Sequence, residues 1–275
     1  MIAFELLEEA SDGDHTFAVY GCRPGDHDDN LVAVLAQTIR DLYVKTALLR
    51  EILIAAMSET SAIVDTAPIE QAIERTLAAA IPKPGVHPIP HLDVARNELA
   101  EALAHLALPA LHGTVIPAPR IENKEIPNAP ARGLDLLGFE DPPLVVVISE
   151  TKASDEPASP PAVVGSGDTS LRGQFMRFLG AKDRLLAELN FALKHAKAEH
   201  QPLIGRAVIA HVQGTLALVA APVLVRPKDR RGPSDFGTFR ENPAEFAPAR
   251  VRFSLLLLDG TLDDLARAVY EAART

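Results

Sequence analysis

The chain has 275 residues, 47% of them hydrophobic, and a formal net charge of −10. That content can bury the core of one large domain or two modest ones, and the acidic balance argues against a simple nucleic-acid binder, whose affinity rests on Lys and Arg. The longest apolar stretch, Gly214 to Val225, is too short for a spanning helix. The acidic opening MIAFELLEEASDGD lacks a secretory-signal pattern and Cys22 is the only cysteine, so the expectation is a cytoplasmic protein with no membrane contact.

Short apolar runs between Ile2 and Tyr20 predict a hairpin or edge strands, closed by the turn-rich YGCRPGDHDD. Asp28, Asp29 or Asn30 then offers an N-cap. Apolar residues at 31, 34, 35, 39, 42, 49, 52 and 53 predict one long helix, or two with a slight break, from Leu31 to Met57. A further helix spans Ala67 to Ile81 and stops at PKPGVHPIP. This proline cluster is the expected boundary between a mainly helical N-terminal region, residues 1–86, read as a partner or regulatory surface, and a second domain, residues 87–275. His91 to Leu108 predicts an amphipathic helix with Asp93 as N-cap and Val94, Leu99, Leu103 and Leu106 near one face.

Prolines beyond that helix predict strand pieces joined by turns, and Leu144 to Ala153 predicts a strand. ASDEPASPPAVVGSGD reads as a loop, and residues 169–200 as a helix broken near Gly180. RAVIAHVQG, LALVAAPVLV and VRFSLLLLDG read as strands, and Thr261 to Thr275 as a closing helix. The order predicts an α/β fold, a mixed sheet flanked by helices, with a helical N-terminal region.

Chemistry concentrates at the end of LVVVISETKAS. Side chains alternate along a strand, so Glu150 and Lys152 share one face. Burying an unpaired charge costs several kcal/mol, which leaves two readings: the pair neutralises itself as a strand-end ion pair, or Glu150 joins a second carboxylate around a divalent ion. The candidate second acid is Asp135, between Gly133 and Gly138 in ARGLDLLGF. In the metal reading the carboxylates hold Mg²⁺ or Mn²⁺ against a phosphate, while Lys152 orients a water or stabilises developing charge.

GLDLLG followed by LVVVISETK resembles the PD-(D/E)XK nuclease superfamily, over about residues 91–275, with a sharp part of about 20 residues. The resemblance implies a restriction-endonuclease-like fold, Asp135 and Glu150 as metal ligands and Lys152 as the catalytic lysine. Many members add a Glu from a preceding helix, here Glu98, with Glu101 as the alternative; Leu134 stands where the family name has proline. Within the superfamily, the acidic helical N-terminal region, RGLDLLGF, ETKAS and LARAVYEAART most resemble the nuclease subunit of Hachiman-type bacterial anti-phage defence, which implies a helicase partner.

Residues 170–252 hold 14 Lys and Arg against 7 Asp and Glu, a basic segment in an acidic chain. Within it RPKDRRGPSDFGTFR, with Arg226, Lys228, Arg230, Arg231, Phe236 and Phe239, resembles a DNA-contacting loop. Arg172, Arg177, Lys182, Arg184, Lys194 and Lys197 either track a DNA backbone or form a solvated helix face. His87 and His91 read as loop histidines rather than zinc ligands. The functional expectation is a Mg²⁺-dependent DNA endonuclease or nickase; the alternative is a non-catalytic scaffold that keeps a nuclease-like fold.

Overall fold

The computed structural model describes residues 2–25, 30–59, 66–85, 93–123 and 133–275; Asp28, Asp29, His87 and His91 lie outside them. β1 (Ile2–Asp12) and β2 (His15–Pro24) form the anticipated hairpin, turning at Gly13 with φ 56°. Asn30 caps α1 (Leu31–Val44), its side chain accepting from the Val32 N–H at 2.9 Å. The expected break falls at Lys45, whose φ of 48° separates α1 from α2 (Thr46–Ser58). α3 (Ala67–Ala80) follows. Asp93 caps α4 (Val94–His112) by accepting from the Ala95 N–H at 3.0 Å. This helix runs past Leu108 and through Pro109 to stop at left-handed Gly113.

β3 (Leu136–Glu140), β4 (Val145–Ser149) and β5 (Thr151–Ala153) follow, so the predicted strand is interrupted at Glu150. After α5 (Ala162–Gly165), the helical stretch breaks beside Gly180 into α6 (Leu171–Leu179) and α7 (Lys182–His195). RAVIAHVQG is not a strand but the body of α8 (Gln201–Val212). Pro202 starts this helix, and Ile204, Ala207 and Val208 pack at helical spacing while Ile209 and Val212 stay exposed. A short apolar run does not by itself distinguish the two periods. β6 (Ala217–Ala220), β7 (Val223–Pro227), α9 (Thr238–Glu241), β8 (Arg250–Leu258) and α10 (Leu262–Arg274) complete the chain.

The strands build one mixed sheet in the order β1-β2-β8-β6-β4-β3, with β5 pairing β7 and β7 pairing β8. The hairpins β1–β2 and β3–β4 are antiparallel; every other pairing is parallel. Alternation along the strands sends Val145, Val147, Val223 and Val225 to the face covered by α1, α3, α4 and α10, and Val146, Ile148 and Leu224 to the face covered by α6, α7 and α8. The anticipated α/β architecture, a mixed sheet between helices, is the one observed.

The first core contains Ile2, Leu35, Ile69, Leu99 and Ala273 together. The N-terminal part therefore shares its sheet and core with the rest, and the proline cluster does not separate two cores. Two contacts explain this: β2 adds to β8 in parallel, and Arg40 of α1 donates to the Ala272 and Ala273 carbonyls at the end of α10, at 2.7 and 3.1 Å. Among the described residues no helix is long and apolar enough to cross a membrane.

Candidate active site

Antiparallel pairing of β3 with β4 sets Leu136 opposite Ser149, and the same register carried one residue further sets Asp135 opposite Glu150. Directly opposed residues present their side chains on one face. Asp135 Oδ2 accepts from the Thr151 N–H at 2.7 Å, which fixes its carboxylate at the sheet interruption, close enough to Glu150 for its charge to act on that carboxyl. The Glu150 carbonyl accepts from the Val223 N–H at 3.0 Å, so the sheet continues across the gap between β4 and β5. Lys152 stands opposite Leu224 in β5, on the face of α6 and α7.

The electrostatics follow from crowding two acids into a dry place. Burial raises the Asp135 carboxyl against the pull of the Lys152 ammonium and the Thr151 N–H. Burial first, and then the charge of Asp135, push Glu150 up to about 9; Lys152 opposes this and Glu188 adds to it. Such a pair holds a proton, or a cation in the proton's place. Glu150 is 4% exposed, and its Oε2 is buried without a hydrogen-bond partner. A buried carboxylate oxygen with no partner calls for one.

The donor set of Asp135 and Glu150 is of the kind a hard divalent ion takes: carboxylate oxygens, one of them without a partner, whose mutual repulsion a cation would relieve. Among the described residues no group of three or more His, Cys, Asp and Glu is arranged to hold a metal. A two-carboxylate share suits Mg²⁺, which commonly keeps several waters and takes remaining ligands from a substrate phosphate.

Glu150 lines a cleft of about 360 Å³ together with Gly133, Gln174, Arg177, Arg184 and Glu188, among others. Gly133 has φ 104°, and a Cβ there would lie 2.7 Å from Arg120 Nη2 and 2.8 Å from Glu188 Oε1, so only glycine fits. Arg120 donates to Glu188 at 2.5 Å while its guanidinium lies 3.6 Å over the Phe191 ring. Sequence reasoning missed Glu188, Gln174 and Arg120. The only signal was the helical spacing of Leu185 and Leu189, which turns Glu188 inward beside them.

The HamA family model matches residues 4–208. The chain belongs to the HamA family. It is therefore a component of Hachiman anti-phage defence, as the motif resemblance implied. No curated protein matches it. The matched segment contains Asp135, Glu150, Lys152 and all the cleft residues named above.

Glu98 of this HamA-family chain is 2% exposed on α4, and its charge acts on the Tyr270 hydroxyl of α10, together with Glu101 and Asp93. The core of α4 packs on the face of Val145 and Val147, opposite to Ile148 and Leu224. The third acid whose charge acts on Glu150 is Glu188, from the helix over the other face.

The basic loop also differs from its expectation. Arg226 is fully buried: it pairs with Asp235 and donates to the Glu156 carbonyl and, at 3.2 Å, to that of Ala158. It is an internal brace that DNA cannot reach. Phe236 and Phe239 are 4% and 0% exposed and pack on Phe253 and Phe246, with ring centroids 5.1 and 4.2 Å apart, so neither can stack on a base. Lys228 lies 2.9 Å from Asp259, Arg230 lies 3.7 Å from Asp229, and Arg231 pairs with Glu8. Lys228, Arg230 and Arg231 are thus exposed but each already faces a carboxylate, while Arg240 lies 5.9 Å from the centre of the Phe236 ring.

Proposed function

We propose that this chain is a metal-dependent DNA endonuclease or nickase of the PD-(D/E)XK kind, acting with a helicase subunit in Hachiman defence. The observation that carries the proposal is the opposition of Asp135 and Glu150 across β3 and β4, with Lys152 on the same face two residues on. Mg²⁺ or Mn²⁺ held by these two carboxylates would supply Lewis acidity and lower the pKa of an attacking water. The chain's own groups do the rest. The Thr151 N–H holds Asp135 in place, and the walls of the cleft keep Glu150 dry, where a charged ligand interacts most strongly. Lys152 brings a compact ammonium to the water or to the charge that develops on the phosphate oxygens.

Purified protein, alone or with its partner, is expected to cleave or nick DNA in Mg²⁺ or Mn²⁺ and to stop in chelator. The sharper test is Lys152→Arg. A scaffold ion pair tolerates the change because charge is kept, whereas a planar guanidinium cannot present one compact donor to both a water and a phosphate oxygen. Severe loss of cleavage with an unchanged melting temperature and intact partner binding is the expected result. Near-normal cleavage by the folded variant sinks the mechanism.

A further inference from the structure

A cation can grip an external phosphate only if it is exposed and not already neutralised. Many of the basic side chains fail one condition: Arg226 is buried, and Arg120, Arg172, Arg206, Lys228 and Arg231 each face a carboxylate. Arg177 and Arg184 meet both. They are exposed, they line the cleft with Glu150, and neither forms an ion pair with any described residue. We propose that Arg177 and Arg184, and not the 226–231 loop, bind the DNA backbone phosphates next to the bond being cut. This rests on reading the cleft as a phosphodiester-cleaving site.

Two further facts point the same way. Arg177 closes α6 and Arg184 opens α7, one on each side of the joint at Gly180 and Ala181, and the buried Phe178 and Leu185 beside them anchor both helix ends. The two guanidinium groups are thus mounted on rigid backbone at the rim while the acids lie in the depth. Arg184 also sits in the first turn of α7, where a cation opposes the helix dipole and lowers stability. The Arg184 N–H is taken by the Ala181 carbonyl at 3.0 Å and Asp183 shares the same turn, so the guanidinium rather than the helix end is the anion-binding group there. An arginine that helix stability disfavours suits a phosphate whose two oxygens a guanidinium fork can take together.

The test uses the purified full chain, a labelled DNA duplex and the matching single strand, titrated in chelator across a range of NaCl. Relative to wild type, the Arg177→Gln/Arg184→Gln variant should bind at least about tenfold more weakly, with a slope of log affinity against log salt shallower by about 1.4–1.8, the loss of two phosphate contacts. Arg177→Lys/Arg184→Lys should restore the slope but only part of the affinity, since charge returns without the fork. Lys228→Gln/Arg231→Gln should leave affinity and slope at the wild-type values. In Mg²⁺ the Gln pair should raise KM and keep kcat, a split that a merely structural role would not produce. Melting temperatures confirm folding, and if the Gln pair unfolds, the single Gln variants and the Lys pair decide. An unchanged slope in the Gln variants, an equal loss in the loop variant, or no DNA binding by wild type overturns the proposal. Arginine-dependent binding without cleavage in any divalent metal would leave the clamp standing and sink the nuclease reading; cleavage with an arginine-independent KM would do the reverse.

Discussion

Two buried ionic groups sit on adjacent parallel strands, and they differ in whether they balance themselves. On β7, Arg226 meets Asp235 and two backbone carbonyls, and Asp235 in turn accepts from the Gly232 N–H at 2.9 Å. The set is neutral and its function is to tie the 154–160 loop to the 226–235 loop. On the neighbouring line of β4 and β5, Asp135 and Glu150 repel each other and leave an acceptor oxygen unused. Each place leaves one buried polar atom without a partner, Arg226 Nε and Glu150 Oε2, but only at the second do like charges crowd together without full neutralisation. Unmet charge beside a cleft is what the proposed metal site requires, and what a purely stabilising pair would lack.

The largest expected effect breaks the second group. Glu150→Gln keeps shape but removes a ligand charge, so cleavage should fall by about two orders of magnitude or more while the protein stays folded, as cleavage assays paired with melting curves would show. Retained activity would return the acids to a structural role. Next comes the first group. Arg226→Ala leaves Asp235, 1% exposed, as a buried carboxylate without its partner, which should cost about 3–5 kcal/mol in denaturant unfolding. The paired replacement Arg226→Met with Asp235→Leu should recover only part of that, because the unpaired charge is gone but the Glu156 and Ala158 carbonyls and the Gly232 N–H lose these partners. If the single variant is as stable as wild type, the contrast between the two groups fails.

A smaller effect comes from pH. The Glu150 carboxyl is raised from 4.5 to about 9, so the folded, metal-free protein holds a proton that the unfolded chain gives up. Its contribution to stability is complete below the lower value and is lost as pH rises to the upper one. The melting temperature of metal-free wild type, measured against Glu150→Gln, should therefore fall across that window. Mg²⁺ should raise the wild-type melting temperature more at about pH 8 than at about pH 6, because the ion takes the proton's place. A flat difference between the two proteins would show that Glu150 is not raised. The smallest effect belongs to the exposed loop: Arg231→Ala breaks only the pair with Glu8, and should cost under about 1 kcal/mol in the same unfolding measurement.

Much of this molecule is local, and local features are legible in a sequence. The hairpin before Tyr20, the caps at Asn30 and Asp93, the break near Gly180 and the shared face of Glu150 and Lys152 all follow from interactions within a few residues. Asp135 was within reach too, because one hairpin brings it to Glu150. What tertiary structure alone decided lies farther apart along the chain. The apolar run that became α8 had either period open to it until packing chose. The N-terminal hairpin joined the main sheet because β8, more than two hundred residues away, supplied its partner. The basic loop looked like a DNA grip until Glu8, Asp235 and Asp259 came to meet it, while Arg177 and Arg184, which the sequence left open as a DNA track or a solvated helix face, pair with no carboxylate among the described residues. A pattern of side chains along a backbone is set by short-range geometry, but whether a charge is free to act depends on which distant residue folding brings beside it.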